Sequence, residues 1–308
     1  MDWEELKEPL YKFIVENRSM YRDDGADKGQ GDIIDFINAT VTKTGRKITV
    51  DAHGWGGWPL YDYIVDDDWA DTGFAEGTVI NTYTGTKIYS TVQGAVDAWA
   101  ASLTDKSIFI CPGHYDEDVV VAAAADPQRI SIEGPAACTA FIDGSITFDG
   151  SFSNTISYEW RGASVVRNLK VSFRTGGGAG DLIFGQTAVS GANIIEGLTF
   201  ENCHFEGAFK PISYGETNAV TIGRSSFLNC TFGSLDDNGR VTLLQEVNFE
   251  GCTFAGTFEL YEAEGASTSR IEDRSTFTAC TFQEGIRLGN LEGVVFTACA
   301  FENPASAP

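Results

Sequence analysis

The sequence has no run of about eighteen apolar residues, which removes a membrane-spanning helix from consideration. Its opening stretch, MDWEELKEPLYKFIVEN, carries acids where a secretory leader carries basic residues, so no export signal is expected there. Basic residues are scarce: 21 Lys and Arg stand against 44 Asp and Glu, a net charge of −23. Phosphate backbones are held by clustered cations, so nucleic acid is not an expected partner. The surplus acid predicts a soluble, self-repelling surface, or one suited to a saline habitat where screening relieves the repulsion. The seven cysteines include no CxxC pair. His53, His114 and His204 form no HxH or HxxxH pair. No metal site and no cofactor is expected.

What the sequence does have is a recurring frame, F-x-x-C-x-F. It occurs as Phe200–Cys203–Phe205, Phe227–Cys230–Phe232, Phe249–Cys252–Phe254, Phe277–Cys280–Phe282 and Phe296–Cys299–Phe301. Residues two apart share one face of a strand. Leu198 and Phe200 therefore point the same way, as do Cys203 and Phe205, and the two residues between the pairs break the parity. Strand, two-residue bend, strand turns all four inward. Val247 and Val294 extend the later frames in the same way, and Val166, Leu169 and Val171 form a cysteine-free version.

Frames recurring at an irregular period of about two dozen residues, with an apolar period of two, predict a β-solenoid. Successive coils lie about 4.8 Å apart, so like residues stack on like. The cysteines are then small buried wall material. Parallel stacked thiols do not favour a disulfide ladder.

Upstream, Val92, Ala95, Val96 and Trp99 suit a short amphipathic helix. Strands follow at Ile108–Ile110, Val119–Val121 and Ile130–Ile132, with turns at Pro112-Gly113 and Gly134. This order, a capping helix, then IFICPGHY, then ISIEG, resembles right-handed parallel β-helix proteins of the pectate-lyase-like superfamily, over roughly residues 88–302. The resemblance implies an all-β, right-handed parallel β-helix. It leaves function open, because that fold carries lyases, esterases, glycosidases, viral tailspikes and inert coils.

Pectin methylesterases in this group carry G-x-Y-x-E, matched by Gly113, Tyr115 and Glu117. They also carry D-F-I-F-G, similar to Asp181-Leu-Ile-Phe-Gly185. By that resemblance Asp181 is the nucleophile. The family's Gln-Asp motif has no counterpart, since residues 150–180 hold neither Gln nor Asp. The reading from the residues makes Asp181 a turn cap instead. A lyase would need grouped carboxylates and a base. The acidic pairs Asp236-Asp237 and Glu262/Glu264, and the cations Lys210 and Arg224, read as ordinary loop charges.

Residues 1–87 depart from the solenoid template and are read as a small mixed α/β capping or attachment domain. Trp3, Leu6, Leu10, Phe13 and Ile14 give one apolar helical face, interrupted at Pro9. A strand is expected near Lys47–Asp51, and another apolar stretch covers Ile33–Ile37. Trp55, Trp58, Tyr61, Tyr63 and Trp69, set among aspartates, suit contact with a glycan or a subunit, or a core. Residues 303–308 read as a polar tail.

Two classes of function follow. The first is a non-enzymatic virion structural protein (tail spike, fibre or capsid decoration). It is expected as a homotrimer that assembles in the host cytoplasm, binds other virion proteins through residues 1–85 and contacts host glycans. The alternative is an extracellular carbohydrate-active enzyme: a polysaccharide lyase, a glycosidase or a pectin-esterase-like protein.

Overall fold

The computed structural model describes residues 39–44, 47–52 and 61–302, apart from 69–74, 82–84, 103, 123–128, 150–157, 174–179, 186–192, 213–219, 237–241, 261–269, 273 and 289. The predictions at Trp3–Ile14, Ile33–Ile37, Trp55, Trp58, Trp69, Asp237 and Glu262/Glu264 lie outside the described residues. The chain is mostly strand, arranged in long parallel stacks.

Successive passes of the chain contribute strands to four parallel stacks. In the first, the column Ile132, Val166, Phe200, Phe227, Phe249, Phe277, Phe296 faces inward, each residue in register with the next. In the second, the column is Tyr115, Ile142, Val171, Phe205, Phe232, Phe254, Phe282, Phe301. The third runs Leu182, Phe209, Leu235, Phe258, Ile286. The fourth runs Ile195, Ile222, Leu244, Ile271, Leu291, each just ahead of a frame in the sequence.

Identity of neighbours fixes ring geometry. Phe227, Phe249 and Phe277 stack nearly parallel with centroids 4.7 and 4.8 Å apart. Phe232, Phe254 and Phe282 do the same at 5.3 and 5.1 Å. Rings from facing columns meet edge-on, as Phe254 meets Phe258 at 4.7 Å. Offset stacks along the axis and edge contacts across it satisfy the ring quadrupoles in both directions.

The bend inside each frame comes from one left-handed residue just before the cysteine. Asn202, Asn229, Gly251, Ala279 and Ala298 hold φ between 52° and 64°. Asn and Gly take this conformation at low cost, whereas Ala does so only where neighbouring coils fix it. The same geometry at Asn168 serves the cysteine-free frame, and the Asn202 amide donates to Asn168 Oδ1 at 3.4 Å. A second corner, after the second stack, is closed by backbone contact. A Cβ on Gly144 would collide with the Glu117 carbonyl, and one on Gly233 with that of Glu206.

The frame cysteines are free thiols. Cys252, Cys280 and Cys299 donate to the carbonyls of Phe227, Phe249 and Phe277 in the preceding coil, at 3.2–3.4 Å. Burial holds the Cys230 thiol well above its ordinary value. In native protein Cys203, Cys230, Cys252 and Cys280 should resist a thiol reagent, and denaturation should release all seven thiols. Disulfides found among the five frame cysteines would overturn the stacking.

Helix α1, Val92–Ser102, buries Val92, Ala95, Val96 and Trp99 against the first coil. The stack also starts earlier than residue 88. Tyr63–Val65 pairs in parallel with both Thr86–Tyr89 and Lys106–Ile110, so these strands join the sheet that carries the first stack. The strand expected at Lys47–Asp51 is Lys47–Ala52, antiparallel to Ala39–Thr44.

Candidate functional site

The motif that resembles the esterases is built into the cap of α1. Thr91 Oγ1 accepts the Gly94 amide at 3.0 Å. Glu117 reaches across to accept the amides of Val92 at 2.7 Å and Gln93 at 2.9 Å. Three of the four amides that a helix start leaves without partners are thereby satisfied, and the carboxylate faces the positive end of the helix dipole. Burial pushes the Glu117 carboxyl up, and the two amide bonds oppose that only in part. Tyr115 is buried and donates to the carbonyls of Val65 and Cys111, both at 3.1 Å. Glu117→Ala should lower stability by about 1–2 kcal/mol. A denaturant midpoint unchanged from wild type would show the cap to be idle.

Asp181 sits at the entry to the third stack with 4 % exposure. Its Oδ1 accepts the Ala208 amide at 2.7 Å, and its Oδ2 meets Lys210 Nζ at 2.6 Å. Both partners lie in the following coil. The carboxylate staples two coils together, with both oxygens engaged. Lys210, read from sequence as a loop charge, is its partner. Arg224 does lie on the surface, near Glu196 and Glu246 at 3.8 and 3.7 Å.

Tyr61 and Tyr63 do not offer ring faces to a ligand, because both are buried. Tyr61 packs on Phe109 at 5.1 Å, and Tyr63 meets Tyr89 edge-on at 5.4 Å. The core reading holds for these two. Of the fifteen residues in the five frames, the first four frames are buried, while Phe296 and Cys299 are half-buried and Phe301 is 54 % exposed.

The most chemically varied surface is one that sequence reading did not pick out. Outward residues of the second stack align as His114, Phe141, Lys170, His204. His114 stacks on Phe141 at 4.5 Å with the ring planes nearly parallel, and Lys170 Nζ lies over the Phe141 ring, 5.4 Å from its centroid. His114 Nδ1 bonds Asp143 Oδ2 at 2.8 Å, and Lys170 bonds Glu206 at 2.9 Å. Asp67 accepts the His114 backbone amide at 3.1 Å. The hydrogen bond from Lys170 holds the Glu206 carboxyl below the usual range. Burial, aided by Lys170, pulls the His204 imidazole down. The signal was hidden because these four residues are separated by about one coil each, with no local motif.

Among the described residues, carboxylates cluster closely enough for a metal ion at Asp66, Asp67 and Asp68 alone. Burial first, then these three acids, pushes the neighbouring Cys111 thiol up to about 12, so it is an inert neighbour. Along the first stack, a shallow groove is lined by Asp62, Lys106, Ser107, Arg129 and Ser131. Asp62 there accepts from Ser107 and from Lys106 at 2.9 and 3.0 Å. No helix among the described residues is long and apolar enough to cross a membrane. No protein-family model, curated protein or solved structure matches the chain.

Proposed function

We propose that the chain is a right-handed parallel β-helix serving as a non-enzymatic structural protein on the surface of a virus particle. One observation carries the non-enzymatic part: both carboxylates of the esterase-like motifs, and two others, are held by structural partners. Glu117 caps a helix, Asp181 joins two coils, Glu206 holds Lys170 and Asp62 holds Lys106. A right-handed path is the usual solution for parallel strands joined by crossovers. The virion assignment is supported by the resemblance of the strand order to tailspike β-helices and by the departure of the sequence of residues 1–85 from the repeating frame. In this reading three copies associate, residues 1–85 dock on the particle, and the acidic coils project towards host glycans.

The test is assembly. Full-length protein should have three times the 33.3 kDa chain mass by light scattering and should co-purify with particles. Deleting residues 1–60, which leaves the paired strand Tyr63–Val65 in place, should abolish particle binding. A monomer that never accompanies particles sinks the proposal. A carbohydrate-active enzyme is the second reading, favoured by the His114–Asp143 pair, whose 2.8 Å geometry suits proton transfer. Polysaccharide cleavage lost on His114→Ala would establish it instead.

A further inference from the structure

The outward face of the first two stacks changes character partway along. In the first stack Glu133, Arg167 and Glu201 stand in register, and the same rank then continues as Leu228, Glu250, Thr278 and Thr297. In the second stack the rank of His114, Phe141, Lys170 and His204 gives way to Thr231, Thr253, Thr281 and Ala300. The bend between these two ranks holds Asn229, Gly251, Ala279 and Ala298. The other outward rank of the first stack, Ser226, Asn248, Thr276 and Val295, is uncharged too. Over these four coils Glu250 is the single charge, on a chain whose net charge is −23. No loop interrupts the surface. The coils differ in length chiefly between the third stack and the fourth, and the six residues from Phe to Phe are never lengthened.

We infer that this uncharged face is where copies of the chain meet one another. The inference rests on the reading that copies associate, and it needs no virus particle. Three arguments select a second copy as the occupant. Acidic chains repel wherever carboxylates face carboxylates, and the centres of protein interfaces are depleted in charge. A second copy also carries the same spacing of about 4.8 Å between ranks, so its ridges and furrows match these without adjustment. Finally, Ser and Thr hydroxyls and Asn amides both donate and accept, so the face can bond to itself. Thr276 Oγ1 already makes such a bond within the chain, donating to Asn248 Oδ1 at 2.6 Å. Four strands of six residues cover roughly 19 by 20 Å, about half the 800 Å² that a standard stable interface takes from each partner. The contact is therefore reversible, and the mass should fall on dilution.

Sedimentation of the full-length chain over a range of concentrations tests it. Wild type should exceed the 33.3 kDa chain mass at high concentration and approach it on dilution. Thr253→Glu and Ala279→Glu should each move that transition to about tenfold higher concentration or beyond. Ala279 is exposed, so its variant stays folded even where Thr253→Glu does not. Val120→Glu puts the same charge on an exposed position of the third stack and should leave the transition in place. Unshifted transitions in both face variants overturn the inference and leave the trimer to another surface. A wild type that is monomeric at every concentration overturns the inference and the trimer together. Loss of particle binding in the face variants with their mass unchanged overturns it as well, and assigns the face to a particle protein.

Discussion

Phe249→Ala is expected to cost about 3–5 kcal/mol, the range for deleting a large aromatic side chain from a packed core. The ring is fully buried between Phe227 and Phe277, with centroids at 4.7 and 4.8 Å, and meets Phe254 edge-on at 5.6 Å. Collapse cannot easily fill the space. The backbones above and below are held at strand spacing by their own hydrogen bonds, so the hole stays open. The measurement is a denaturant midpoint, read with the slope to confirm that one cooperative transition remains. Phe301→Ala makes the contrast: its ring is half exposed, and its loss should cost well under half as much. Equal costs at the two positions would contradict the stacking account.

The second large effect is expected at Asp181. Alanine there removes the acceptor from the Ala208 amide and leaves the Lys210 ammonium beside a vacated site. Stranding one member of a largely buried pair is costly, so about 3 kcal/mol of stability should be lost. Asp181→Asn keeps an oxygen for the amide and should lose less. Replacing both partners, Asp181→Leu with Lys210→Met, should recover part of the loss, because the penalty arises from the unpaired charge. Coupling near zero in this double-mutant cycle would show that the 2.6 Å contact contributes nothing.

How much of this was legible in the sequence depended on whether the signal was local. The parity break between Phe200 and Cys203 foretold the bend, because two inward pairs offset by an odd step leave one solution. The helix at Val92–Trp99 was readable from its 3.6 period, and Val166, Leu169 and Val171 do face inward as their spacing required. The fourth stack was not readable. Ile195, Ile222, Leu244 and Ile271 lie in the short stretches NIIE, VTIG, TLLQ and RIE, which share no common apolar spacing that would register as a repeat. Nor could Ala279 and Ala298 be recognised as left-handed, since alanine adopts that conformation only when tertiary contacts impose it. The roles of Glu117 and Asp181 were hidden for a third reason. Their partners lie 24–29 residues away, on other elements, and a motif that resembles a catalytic one carries no information about which amide its carboxylate will meet.

The direction of the backbone hydrogen bonds has a mechanical meaning. Thr231, Thr253 and Thr281 each donate to the strand before in their stack, and Asn229, Gly251 and Ala279 each to the one after, so the bonds run along the direction of stacking. Tension applied between the ends therefore loads them one coil at a time, in the manner of a zipper. A load across the axis is shared by every strand in a sheet at once. Under end-to-end tension each frame would be released as a discrete step, and the unequal spacing of the frames would make those steps unequal in length.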